Sequence, residues 1–170
     1  MAVMDYVVPV TKIKQHLSFE LKDFYKTLKS WFKERGYGIE ETEYAESAGH
    51  EGMHRTHFQW KCSKKMDSYS KLVIEIKFLA ETRDAVLEDA DKKKTVQEGN
   101  VSLSIGGYIS KDIEDEWALR VKTGFDRFFR ELYDKFGKGQ KFEEYEGKLK
   151  KDIDAITYDM KTYLKMNRYD

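Results

Sequence analysis

The chain has 170 residues, 36% of them charged and 40% apolar, and its 31 basic and 31 acidic residues cancel. That length suits one domain, 1–170, with its own buried core, and the zero net charge argues against a general nucleic-acid binder, which needs excess positive charge to displace counterions. The cancellation is also local, at 7 basic against 8 acidic residues in 1–48, 11 against 9 in 49–111 and 13 against 14 in 112–170, so there is no basic arm or acidic tail.

Residues 6–14 (YVVPVTKIK) predict a short first strand, and Pro9, the only proline, confines it to a sheet edge or a strand start. Ser18 then has the character of a helix N-cap, with Glu20 and Asp23 in the first turn. Phe24, Leu28 and Trp31, with Leu21 and Phe32 beside them, have the 3–4 spacing of a buried helical stripe. Lys33 and Arg35 suit the C-terminal dipole, and Gly36 is placed to end the helix. Residues 37–45 predict a further strand.

The period then changes to two. Phe58, Trp60 and Cys62 alternate with Gln59, Lys61 and Ser63; Leu72, Ile74, Ile76 and Phe78 alternate with Val73, Glu75, Lys77 and Leu79; Val101, Leu103 and Ile105 alternate with Ser102 and Ser104. Such patterns belong to antiparallel strands with one face on a core and one in water. A hairpin is expected between the last two runs, with its tip near Ala90–Lys92. Ser104-Ile105-Gly106-Gly107-Tyr108 reads as a bulge or bend inside a strand.

From Asp112 the helical period returns, first in Trp117, Val121, Phe125, Phe128, Leu132 and Phe136. It resumes in Phe142, Tyr145, Leu149, Ile153, Ile156, Met160 and Tyr163, with Asp152 facing out. Gly137-Lys138-Gly139-Gln140 breaks the chain between the two, and so short a link makes them antiparallel neighbours. Gly124 and Gly147 each weaken a helix by about 1 kcal/mol against alanine, which points to close packing at both. The expected class is therefore α+β. An antiparallel β-meander of about four to six strands (within 49–111, after a strand, helix and strand in 1–48) carries one N-terminal helix and two long antiparallel C-terminal helices (112–170) on one face.

This element order resembles the helix-grip layout of START-like and polyketide-cyclase-like proteins, where a curved sheet wraps a C-terminal helix. The two terminal helices depart from the single one usual there. The run from Glu75 to Trp117 (EIKFLAETRDAVLEDADKKKTVQEGNVSLSIGGYISKDIEDEW), with FDRFFRELYDKF (Phe125–Phe136) and FEEYEGKLKKDI (Phe142–Ile153), also resembles a group of small uncharacterised archaeal proteins. That second resemblance implies no activity.

One cysteine cannot close an internal disulfide, so a reducing cytoplasmic location is expected. The N-terminus, MAVMDYVVPVTK, lacks the pattern of a signal peptide. The longest apolar stretch, Lys71–Ala80, is broken by Glu75 and Lys77 and is too short to span a membrane.

The chemical signature worth testing is GHEGMHRTHFQWKC (Gly49–Cys62), which gathers three of the four histidines and the cysteine. Strand parity sends His57 and Cys62 to opposite faces. His54 shares the parity of Cys62 but lies eight extended residues away, roughly 26 Å. Cys62 therefore reads as a small buried hydrophobe, and any metal site reduces to His50, His54 and His57, with Glu51 as a further candidate ligand. An exposed loop leading into a strand is the simpler reading.

No Gly-x-Ser-x-Gly elbow, Cys-x-x-Cys pair, Walker loop or dinucleotide loop occurs. The pairs Glu114–Glu116 and Glu143–Glu144 fall where helices begin and complement the dipole. No cofactor is implied, and the pattern leans away from an enzyme. Lysines at 61, 64 and 65, at 92–94, and at 148, 150 and 151 suit edge protection and a solvated helix face better than an RNA patch. Tyr133, Tyr158 and Tyr169, off the apolar stripes, suit a partner surface. The leading expectation is a protein-interaction module or homo-oligomer. The alternative is a helix-grip-like carrier of a small apolar ligand, with Trp60, Phe78, Leu103, Trp117 and Phe125 lining a cavity between sheet and helix.

Overall fold

The computed structural model describes residues 3–67, 70–89, 92–111 and 138–166. Alternating apolar and polar side chains draw five strands into one antiparallel sheet: β1 (Val3–Phe19), β2 (Gly38–Ala48), β3 (His54–Lys65), β4 (Ser70–Asp89) and β5 (Lys92–Lys111), in the order β1-β5-β4-β3-β2. Two helices are described, α1 (Leu21–Glu34) and α2 (Lys138–Met166). The α+β class and the antiparallel sheet are as expected. The helix expected from Asp112 through Phe136 lies outside the described residues.

The register follows the period-two pattern. Phe58 pairs with Phe78 and Phe78 with Leu103, Trp60 pairs with Ile76 and Ile76 with Ile105, and Cys62 pairs with Ile74 and Ile74 with Gly107. One apolar row after another thus crosses β3, β4 and β5 on a single face. The helices cover that face. From α1, Phe24, Leu28, Trp31 and Phe32 are buried, and the Phe24 ring stacks on Phe78 with centroids 5.3 Å apart. From α2, Leu149, Ile153, Ile156, Met160 and Leu164 are buried.

Polar ties then fix the helices to each other. The Trp31 indole N–H donates to Asp159 at 2.8 Å, and the Arg35 guanidinium, stacked over the Trp31 ring, lies 3.7 Å from the same carboxylate. The Tyr163 hydroxyl donates to Asp23.

Several expectations are corrected. β1 does not stop at residue 14: Gln15–Phe19 continue the alternation and pair with Gln97–Val101, so Ser18 lies in the strand opposite Glu98. The helix starts after Glu20, which gives no side-chain cap. Gln97 of β5 supplies the acceptor instead, taking the Leu21 N–H at 2.9 Å. Pro9 does lie on an edge strand, within the β1 irregularity between Val8 and Thr11. The irregularity expected at Gly106-Gly107 is present on one side: β4–β5 pairing runs through without a shift, but in the β1–β5 ladder the register shifts between Val8, opposite Gly107, and Thr11, opposite Ile105. Lys138-Gly139-Gln140 is helical and belongs to α2.

Asp152 does not face out. It is 6% exposed, accepting from the Tyr37 hydroxyl at 2.7 Å and from Lys148 at 3.0 Å. Around Gly147 no described residue lies within 4 Å of where its Cβ would be, and the helix expected to pack there lies outside the described residues. Gly36 ends α1 as expected, in the left-handed region at φ +82°. No helix among the described residues is long and apolar enough to cross a membrane.

Candidate functional site

Along β3 and β4 the face that meets the helices changes character. From Phe58 and Phe78 outward, the same parity passes to Thr56 and His54 on β3, to Ala80, Thr82 and Asp84 on β4, and to Gln97 on β5. Polar residues there face inward because the helices no longer cover them. The first turns of α1 flank this end of the sheet and the edge strand β2 runs beside β3, leaving an open groove of about 970 Å³. Leu21, Lys22, Tyr25 and Lys26 line it from α1. Glu41, Tyr44, Glu46, Ser47 and Ala48 line it from β2, and Thr56, Phe58, Thr82 and Gln97 form its sheet side.

The inner wall is aromatic. The Tyr25 ring meets Phe58 and Trp60 edge-on, each at 5.2 Å, and meets Tyr44 at 6.3 Å. The phenols are held by carboxylates: Tyr25 donates to Glu41 at 2.7 Å and Tyr44 to Glu46 at 2.5 Å. Glu41 also accepts the Trp60 indole N–H at 2.8 Å. Burial, then the bond to Glu41, pushes the Tyr25 hydroxyl up to about 12. For Tyr44 the bond to Glu46 leads and burial follows, to about 12. Both phenols therefore stay protonated and remain donors at neutral pH.

The floor carries two polar groups. Thr56 is 5% exposed and Thr82 only 1%. Among the described residues, neither hydroxyl has a hydrogen-bond partner. Every fully enclosed side-chain nitrogen or oxygen among the described residues has a partner, so these two hydroxyls reach the groove that they line. Thr56 pairs with Ala80 and His54 with Thr82, which makes the threonines diagonal neighbours, roughly 7 Å apart at Cα.

The histidines are not brought together. His50 sits in a single 3-10 turn, His50–Gly52, and is exposed. His54 and His57 both belong to β3 and, three residues apart, face opposite sides of the sheet. His54 lines the groove, 3.8 Å from Asp84, while His57 lies 3.4 Å from Glu43. Among the described residues, no three His, Cys, Asp or Glu side chains are placed to hold a metal ion. Cys62 is fully buried, and burial pushes its thiol up to about 12.

Of the residues expected to line a cavity, Trp60, Phe78 and Leu103 share the helix-facing side of the sheet and are at most 1% exposed, inside the packed core. None of these three lines the groove; their neighbour Phe58 does. Trp117 and Phe125 lie outside the described residues. The groove residues that sequence reasoning missed had a readable signal. Continuing the apolar parity of β3 backward and of β4 forward reaches Thr56, His54, Thr82 and Asp84, polar residues at core-facing positions. No protein-family profile and no curated protein matches the chain.

Proposed function

We propose that this protein is a carrier that binds one small ligand with an apolar body in the groove between α1, β2 and the ends of β3, β4 and β5. The observation that supports this reading is the groove itself. Its volume of about 970 Å³ falls at the upper end of small-molecule sites, on the order of 300–1,000 Å³. It joins an aromatic wall to two threonine hydroxyls that open onto the groove and bond to no other described residue. A ligand polar group there takes the place of groove water as their hydrogen-bond partner. The strand order, with both described helices on one face of the sheet, is compatible with the helix-grip layout that such carriers use.

The test is native mass spectrometry of the purified protein, followed by titration with the neutral fluorophore N-phenyl-1-naphthylamine. Saturable one-to-one binding that is abolished by Ala48→Trp, a groove-filling substitution on the exposed β2 wall, is the expected result. No co-purifying molecule and no saturable binding would sink the reading.

A second reading, self-association, rests on β2. This strand lies at the sheet edge and is exposed at every position but Ile39, the geometry that invites strand addition. Glu40, Glu43 and Glu46 would repel a second β2 at the same edge, so this reading ranks below the carrier. Tyr158, at 70% exposure on α2, is available to a partner, while Tyr133 and Tyr169 lie outside the described residues.

A further inference from the structure

Resting on the carrier reading, we infer that the groove takes an alkylammonium: an organic cation whose amine head meets Thr56 and Thr82 and whose apolar tail lies along Tyr25 and Phe58. The hydroxyls set the place of the head. Each can accept a hydrogen bond, and an ammonium brings three donors and no acceptor. A hydroxyl can also donate, so the threonines alone do not choose the sign of the head group.

The surrounding charges choose it. Glu20, Glu41, Glu46 and Asp84 line the groove, against the ammonium groups of Lys22 and Lys26. Glu20 is held by Lys94 at 2.9 Å. The remaining three carboxylates stand on the sheet side, and Asp84 is on the same strand as Thr82, two residues on and on the same face. Lys22 and Lys26 stand across the groove on exposed positions of α1, where long stems carry their charge to water. Glu41, Glu46 and Asp84 are exposed too, but their shorter stems hold the charge at the groove wall, Asp84 lying 3.8 Å from the His54 ring. An anionic head at the threonines would face Asp84 and Glu46 and be repelled. A cationic head is attracted by them, while the half-buried Tyr25 offers apolar surface to the flanking methylene groups.

Three eight-carbon probes separate head-group charge from tail: octylammonium, 1-octanol and octanoate, titrated by calorimetry at neutral pH. Octylammonium is expected to bind about tenfold more tightly than octanoate, a difference of about 1.4 kcal/mol, with 1-octanol between them. High salt narrows that gap by screening. Glu46→Gln, at an exposed position, weakens octylammonium severalfold and 1-octanol much less. Thr82→Val, nearly isosteric, weakens both. If octanoate or 1-octanol binds as tightly as octylammonium, saturably and with sensitivity to Thr82→Val, the cation inference is overturned while the carrier reading stands. If none of the three binds saturably, both fall.

Discussion

Two glycines make opposite demands on the packing of α2, and replacing each by alanine tests that packing. At Gly107 of β5, an added Cβ would lie 2.7 Å from the Val73 carbonyl oxygen, 2.8 Å from Ile153 Cδ1 and 3.4 Å from Leu149 Cδ1. Carbon atoms in contact sit about 3.5–4.0 Å apart, so about 1 Å of relief is needed at two atoms together. The Val73 carbonyl is fixed in the β4 ladder opposite β5, leaving Ile153 and α2 to move. Overpacking of this kind costs about 1–3 kcal/mol, of which about 0.4–1 kcal/mol is offset by the stiffer unfolded chain. Gly107→Ala is therefore expected to destabilise by about 1–2 kcal/mol.

At Gly147 of α2 no described residue lies within 4 Å of the Cβ position. Against the described residues only the helix-propensity gain acts, and Gly147→Ala is expected to stabilise by about 0.8–1 kcal/mol. For a chain of this size each kcal/mol moves Tm by about 2–4 °C. Urea unfolding at constant m-value, together with a thermal melt, reads both variants. A neutral or stabilising Gly107→Ala would refute the seating of α2 on β5. A destabilising Gly147→Ala would show that the face of α2 around residue 147 is covered.

Two further outcomes test the buried polar chemistry. Tyr37→Phe removes one of the two donors to buried Asp152 and is expected to cost about 1–3 kcal/mol in urea unfolding; a value near zero would mean that the carboxylate is solvated. The Cys62 thiol, held up to about 12 by burial, is expected to resist iodoacetamide at pH 8 in the folded protein and to react at once in denaturant. Because its folded pKa lies above the unfolded one, the stability linked to this thiol is intact below the unfolded value and drains as pH rises through the folded one. A native thiol that alkylates at the denatured rate would contradict its burial.

The strand runs and α1 were legible because one side of each meets water and the other a core. That contrast prints a period of two at Phe58–Cys62, Leu72–Phe78 and Val101–Ile105, and a 3–4 spacing at Phe24–Trp31. The buried stripe of α2 was legible for the same reason. Asp152 was not, because its partner Tyr37 lies 115 residues away in sequence, and no local pattern announces a bond between distant segments. The start of α1 was misread at Ser18 because a local cap signal competed with strand pairing. The β1–β5 ladder won, and Gln97 took over the capping bond.

The sequence by itself determined the secondary-structure types, the inward parity of each strand, the burial of Cys62 and the divergence of His57 from it. These depend on side-chain alternation within a few residues. Only the tertiary structure decided where the inward face stops being covered. Thr56 and Thr82 are polar at core-facing positions in the sequence, but they become the floor of a groove only because α1 crosses the sheet short of them and the edge strand β2 flanks them. The placement of α1 is a long-range packing result, set by Phe24 on Phe78 and by α2 against Trp31 and Asp23.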